Sequence, residues 1–330
     1  IQTAMGMCLA GAKGETEKCL VDLLCLPEKR KPYFESLAKI CEKNPNYDLQ
    51  SANALWGQIG FEYQEKFAAD IVHDYNGSFY DVNYENTSEA CQKINTWCDA
   101  NTKGKIPEII CEDFIKKDTK LILTNAIYFK GKWKSAFDKK ETKDLDFHNE
   151  NGQTVKTPTM SARNKFLYGE TDTFKTVELP YEGEDMSMLV VLPNHDKTLG
   201  TLEDTYNQAA DCAKMLKTVI VKMPRFKFST EAKLGKTFKE MGASVAFSDS
   251  ADFTGISNER LKISEVIHKA FVDCSEEGTE AAAATAVGMV KCTAFANPSP
   301  PVEFKADRPF LFFIRKNDNI LFAGKVAEFK

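Results

Sequence analysis

Four histidines (73, 148, 195 and 268) and ten cysteines (8, 19, 25, 41, 91, 98, 111, 212, 274 and 292) are the side chains of this 330-residue sequence best suited to bond-making. Imidazole can serve as a base near neutral pH, and a thiolate as a nucleophile or metal ligand. The spacing that would organise them is missing. There is no Gly-x-Ser-x-Gly elbow, no His-Glu-x-x-His helix and no dinucleotide glycine pattern, and Gly235-Lys-Thr lacks the upstream glycine a phosphate loop requires. No Cys-x-x-Cys occurs. Cys91 and Cys98 share a helical face with Ile94, beside Trp97, but no histidine or acid completes a metal site there. A Cys–His pair can meet in space without any sequence signature, so that route stays open. Most of the thiols read as small apolar core residues, with a few disulfides as the alternative. No cofactor and no metal is implied.

A second kind of chemistry would be done to the chain rather than by it. From Glu276 to Thr293 the sequence reads Glu-Glu-Gly-Thr-Glu-Ala-Ala-Ala-Ala-Thr-Ala-Val-Gly-Met-Val-Lys-Cys-Thr, small residues behind a glycine. It follows the apolar, β-branched run Leu261 to Val272, which reads as a buried strand. The four alanines Ala281, Ala282, Ala283 and Ala284 favour helix when exposed, yet are also small enough to slide between two strands of a sheet. Such a segment can occupy two places.

The elements around it read as α+β. Helices are expected over Thr3 to Cys25, broken by a turn at Gly11 to Gly14, then at Tyr33 to Glu42, Tyr63 to His73 and Ser88 to Ala100, with a strand at Leu49 to Trp56. Thr119 to Phe129 is almost continuously apolar, as a central strand covered on both faces must be. Short strands follow at Thr154 to Met160, Val177 to Leu179, Met186 to Leu192, Thr218 to Met223 and Arg225 to Phe228, interrupted by helices at Leu202 to Leu216 and Glu231 to Met241. Phe310 to Arg315 and Ile320 to Val326 read as a buried C-terminal hairpin. No repeat and no linker divides the chain, so a single domain over 1–330 is expected.

With 43% hydrophobic and 28% charged residues the chain can bury a sizeable core. A net charge of −5 argues against nucleic-acid and phospholipid partners, which need a positive field, and no apolar run is long enough to span a membrane. Glu28-Lys-Arg-Lys31 is a charged run that reads first as a solvated loop and second as a contact for a sulfated polysaccharide. The chain starts abruptly inside a helical pattern, so a preceding helix is expected to be missing. Asn76-Gly-Ser and Asn86-Thr-Ser are glycosylation sequons, which favour an extracellular home over the cytoplasmic one that many free thiols suggest.

Several ordered motifs carry a resemblance. Asn125-Ala-Ile-Tyr-Phe-Lys-Gly-Lys-Trp133, Leu179-Pro-Tyr-Glu-Gly, Met223-Pro-Arg-Phe226, Ala251-Asp-Phe-Thr-Gly255, His268-Lys-Ala-Phe and Asp307-Arg-Pro-Phe, together with Glu276-Glu-Gly-Thr-Glu-Ala-Ala-Ala-Ala-Thr285, resemble the serpins. The hinge wording is most similar to inhibitory members of the ovalbumin-like branch. The resemblance implies a serpin fold with a large mixed central sheet, further sheets and surrounding helices, and a reactive-centre loop over about residues 276–301. It implies a hinge at Glu276, Glu277, Gly278, Thr279, Glu280, Ala281, Ala282, Ala283, Ala284 and Thr285, a shutter at Asn125 and His268, and a breach at Trp133, Arg225 and Glu276. Each has a plainer reading: Asn125 as a backbone-satisfying amide, His268 as a core histidine, and Arg225 with Glu276 as a surface ion pair. By alternation Thr279, Ala281, Ala283 and Thr285 would face inward on insertion, and Glu280, Ala282 and Ala284 outward.

The function implied is a suicide pseudo-substrate, monomeric, which traps a serine protease in a covalent 1:1 complex and is itself no enzyme. The scissile bond reads as Lys291-Cys292, which suits a trypsin-like protease. The usual family count instead gives Cys292-Thr293, since Cys292 is the seventeenth residue counting Glu276 as the first. That bond suits an elastase-, chymotrypsin- or cysteine-protease-like target. A non-inhibitory carrier or chaperone is the other alternative.

Overall fold

The computed structural model describes residues 1–41, 44–116, 118–197, 201–279, 300–317 and 319–330. In chain order come α1 (Gln2–Gly11), α2 (Gly14–Leu23), α3 (Arg30–Ile40), β1 (Tyr47–Gln58), α4 (Glu65–Tyr75), β2 (Ser78–Val82), α5 (Thr87–Asn101) and β3 (Leu121–Lys132). Next are β4 (Lys143–His148), β5 (Thr154–Glu170), β6 (Phe174–Pro180), β7 (Met186–Pro193), α6 (Leu202–Cys212), β8 (Met215–Pro224), β9 (Phe226–Lys233) and the single turn α7 (Gly235–Phe238). The chain ends with β10 (Glu265–Ser275), β11 (Gly278–Thr279), β12 (Val302–Lys305), β13 (Phe310–Lys316) and β14 (Asn319–Val326). The class is α+β, as the early helices and late strands imply. No described helix is long and apolar enough to cross a membrane.

The residues gather into two compact units. The first comprises Ile1–Asn44, Asp48–Phe129 and Phe228–Phe271, the second Pro45–Tyr47, Lys130–Lys227 and Val272–Lys330. The first unit is built on the two faces of β3. Leu121 and Leu123 join a cluster with Met5, Cys8, Phe253 and Ile256. Ile122, Ala126 and Tyr128, offset by one residue, join another with Trp56, Cys91, Ile94 and Cys98. Because side chains alternate across a strand, this division is why β3 shows no polar face in the sequence. In the second unit, Ala209 of α6 and Ala213 just after it pack with Phe174, Leu189, Val191, Leu311 and Phe313 of β6, β7 and β13.

Two sheets result. The mixed six-stranded sheet has the order β2-β1-β3-β11-β10-β9, with β3 also paired directly to β10. The other has eight strands in the order β12-β8-β5-β6-β7-β13-β14, with β4 on β5. Several boundaries differ from expectation. The strand at Thr154 runs on to Glu170, because its polar second half pairs with β8 from Ser161↔Lys222 to Tyr168↔Met215. The helix begun at Leu202 stops at Cys212, since Met215 and Leu216 are claimed by that same ladder. Glu231 to Lys233 extend β9 and are not helical, and only Gly235–Phe238 form a regular turn. In the C-terminal hairpin β13 is buried, but β14 is an edge strand with alternate residues exposed. The strands β2, β4 and β12 were not anticipated.

Cys8, Cys91, Cys98 and Cys274 are buried free thiols, consistent with their reading as core residues. Among the described residues, no group of histidine, cysteine and acidic side chains is placed to hold a metal.

Candidate functional site

The hinge begins as a tight turn out of β10. Gly278 has φ +149°, and a Cβ there would run into the Gly131 carbonyl oxygen, so only glycine fits this close backbone approach. Past the turn, Gly278 and Thr279 form β11. On one side they pair antiparallel with Lys132 and Gly131 of β3, on the other with Ser275 and Cys274 of β10. Gly278 is buried and Thr279 is 0% exposed. Thr279 therefore lies inside the sheet with its side chain covered. Glu280, Ala281, Ala282, Ala283, Ala284, Thr285, Lys291, Cys292 and Thr293 fall outside the described residues.

Around this turn the residues named as a breach come together. Arg225 Nε donates to Glu276 Oε1 at 2.6 Å and its Nη2 donates to the same oxygen. Thr142 Oγ1 adds a third bond at 2.5 Å. Glu276 is 1% exposed, so this is not the plain surface pair of the alternative reading. Burial opposes ionisation of its carboxyl, but the bonds from Arg225 and Thr142 outweigh burial and hold its pKa below the ordinary value. Trp133 fixes the backbone: its indole Nε1 donates to Ser275 O and its amide to Glu277 O, both at 2.9 Å. Phe137 N donates to Glu276 O at 2.8 Å. A cavity of about 530 Å³ opens beside these groups, where Lys139 pairs with Glu277 and Lys227 with Asp273. These two lysines are well exposed, so their pairs contribute little beside the buried Glu276 contact.

Two participants were missed in the sequence. Tyr181 is stacked on Trp133, with ring centroids 4.4 Å apart and planes 13° apart, and its hydroxyl lies 2.7 Å from Thr279 Oγ1. It sits within the Leu179-Pro-Tyr motif, so its presence was legible and its contact was not. Thr142 carried no signal at all.

Asn125 and His268 meet in the first unit, as cross-strand partners in the parallel ladder of β3 and β10. His268 Nδ1 donates to Asn125 Oδ1 at 2.6 Å, and Asn125 Nδ2 donates to Asn53 Oδ1 at 2.7 Å. Burial pushes the His268 pKa down to about 4 and keeps the ring neutral. Because the unfolded chain binds this proton near pH 6.5 and the folded chain only near 4, stability should fall as pH drops through that window. The expected loss is on the order of 2–3 kcal/mol. Urea titrations at pH 7 and pH 4.5 check it, and His268→Gln should flatten the difference.

The other predicted residues lie apart from these groups. Asn76 is exposed at the end of α4, and Asn86 caps α5, its amide donating to Glu89 Oε2 at 2.9 Å. In the basic run, Arg30 pairs with Glu17 at 2.7 Å and Lys31 with Asp74 at 2.9 Å, so two of its cations are already met by carboxylates.

Known proteins match nearly the whole of this chain. The family model described as Serpin (serine protease inhibitor) matches residues 1–329. An uncharacterized serpin-like protein of Methanosarcina mazei is 39% identical over 99% of this chain and 79% of its own length. The leukocyte elastase inhibitor of Sus scrofa is 37% identical over 99% of this chain and 90% of its own, which bears out the likeness to the ovalbumin-like branch. The crystal structure of native protease nexin-1 with heparin superposes with a TM-score of 0.88 at 29% identity, covering 99% of this chain and 90% of that one. Agreement of this extent, in sequence and in fold, makes the chain a member of the serpin family of protease inhibitors.

Proposed function

We propose that the chain is a suicide pseudo-substrate of a serine protease, acting as one serpin domain and one copy per protease, with a loop over about residues 276–301 as its bait. The observation that carries this reading is β11: the first loop residues already pair between β3 and β10, with Thr279 wholly buried. The protease serine attacks the Lys291 carbonyl carbon, the bond to the Cys292 nitrogen breaks, and the amine leaves with a proton from the protease's histidine. Residues beyond Thr279 then continue β11 down the sheet. The acylated protease is carried along, and displacement of its catalytic groups leaves the ester unhydrolysed.

Lys291 suits a trypsin-like protease. Cleavage at Cys292-Thr293 by an elastase-like protease is the second reading, favoured by the likeness to proteins named leukocyte elastase inhibitor. Asn125 and His268 would form the shutter that parts, and Trp133, Arg225 and Glu276 the clasp at the point of entry. Sulfated polysaccharide is at most a weak partner at the basic run, since it would have to displace Glu17 and Asp74 from Arg30 and Lys31.

Mixing the chain with trypsin and with elastase should give a band at the summed mass on a boiled denaturing gel. Mass spectrometry of the released loop peptide then assigns the bond. Clean cleavage alone with both proteases and with a papain-like enzyme would exclude inhibition and leave a carrier or chaperone.

A further inference from the structure

Cys91 and Cys111 are brought alongside each other by the hydrogen bonds that flank them. Thr87, Cys91 and Asn95 follow one another at i, i+4 and i+8, so they line one face of α5. At one end of that row the Asn95 side chain clasps the backbone of the segment after the helix. Its Nδ2 donates to Ile110 O at 2.8 Å, and its Oδ1 accepts from Ile109 N at 2.8 Å and Ile110 N at 3.0 Å. At the other end Thr87 Oγ1 donates to Glu112 Oε2 at 3.1 Å. The segment therefore runs antiparallel to the helix along this face. Cys111 is the residue between the two attachments on the segment, and Cys91 is midway between them on the helix.

Both thiols are free, and they differ in setting. Cys91 is 7% exposed; burial pushes its pKa up to about 11, and the negative charges of Glu112, Cys111 and Glu108 add to the rise. Cys111 is exposed. Cys98 is no partner for Cys91, since it lies two turns further along the same helix, about 10 Å away, beyond the roughly 7 Å between Cα atoms that a disulfide spans.

We propose that Cys91 and Cys111 are a redox-modified pair, which closes to a disulfide and fastens segment 109–112 onto α5. The oxidant is a small disulfide of the glutathione kind. The Cys111 thiolate attacks one of its sulfurs, forming a mixed disulfide and expelling one thiolate; the Cys91 thiolate then attacks the Cys111 sulfur, forming the protein disulfide and expelling the second. The expelled thiolates take up the two protons that the cysteines lose, so two protein thiols are oxidised and one small disulfide is reduced to two thiols. Burial of Cys91 makes the second step the slow one. What the bond fastens is the layer over β3 and β10: Ile109 and Ile110 share one core with Ile94 of α5, Ile122 and Ala126 of β3 and Ile267 of β10. A strand that enters between β3 and β10 has to part them beneath this layer, and a layer pinned covalently gives way more slowly. The pairing stands on the geometry around α5, whereas its effect on trapping rests on the inhibitor reading given above.

Incubating the full chain with excess oxidised glutathione, then digesting it with pepsin at low pH without reductant, is expected to release the Cys91 peptide joined to the Cys111 peptide. Cys111→Ser, at an exposed position that leaves the core intact, should give no joined peptide and no glutathione on Cys91. The inhibitor consumed per trypsin trapped should rise several-fold when the parent chain is oxidised, return on reduction with dithiothreitol, and stay the same in oxidised Cys111→Ser. Glutathione held on Cys111 with no joined peptide, or Cys91 joined to another cysteine, would overturn the pairing. A joined pair with equal consumption in the oxidised and reduced forms would overturn its role in strand entry. If the pair joins while the reduced parent traps no protease, the pairing stands and the inhibitor reading fails.

Discussion

Thr279→Arg is expected to leave the initial rate of loop cleavage close to that of the parent chain while raising the inhibitor consumed per protease trapped roughly ten-fold or more. Thr279 is fully buried between β3 and β10, its hydroxyl against Tyr181. A guanidinium at this position would enter a layer where an unpaired charge costs several kcal/mol, so the strand would have to be expelled before the loop could move. The proposed scissile bond at Lys291 is twelve residues further along the sequence, so recognition by the protease should survive. Acylation then proceeds and insertion lags, and water completes the hydrolysis. Glu280→Arg is the control. Residue 280 lies outside the described residues; in an inserted strand, alternation would assign it to the outer face, where arginine should be tolerated. Stoichiometries measured by titrating trypsin with each variant decide the matter. Equal values for the two would mean that Thr279 does not lead an inserting strand.

A cut within the loop, made by a protease that is not trapped, should raise the unfolding midpoint by on the order of 20 °C. The magnitude follows from about a dozen new strand residues, each adding ladder hydrogen bonds that contribute about 1 kcal/mol net, with roughly 2 °C per kcal/mol for a chain of this size. Burial of the alanine side chains adds to it. The uncut protein would then be a kinetically held state, stable only while its loop ends are joined. Calorimetric scans of intact and papain-nicked protein make the comparison, and coincident midpoints would rule out insertion.

Most of the fold was legible because the strongest signals were local. The almost continuously apolar text of Leu121 to Phe129 reads as a strand with both faces covered, and the Cys91, Ile94, Cys98 face reads as one side of a helix. Where the reading failed, a partner from far along the chain had decided. Ser161 to Lys165 look like a loop by composition, yet β8 lies alongside and turns them into strand. Met215 and Leu216 continue a helical pattern but belong to that same ladder, where both are left exposed. The site followed the same rule. Glu276, Arg225 and Trp133 could be named because each sits in a long motif. The bond from Thr142 spans 134 residues and that from Tyr181 spans 98, and no spacing rule reaches so far.

Below β11 the neighbouring strands are not apart. β3 and β10 pair with each other, in parallel, from Ile122↔Glu265 to Tyr128↔Phe271. A strand that advances past Thr279 therefore takes the place of an existing ladder, and each parallel rung it breaks is replaced by two antiparallel ones, in the geometry β11 already has on both sides. Insertion of the loop, as proposed, would be branch migration in a sheet: only the rung at the fork would be open at any moment, and every forward step would gain more pairing than it gave up. The barrier to the whole passage is then close to the barrier of its worst single step, nearly independent of how many residues follow. One ill-fitting side chain anywhere along the path can stall the fork, however favourable the completed sheet would be.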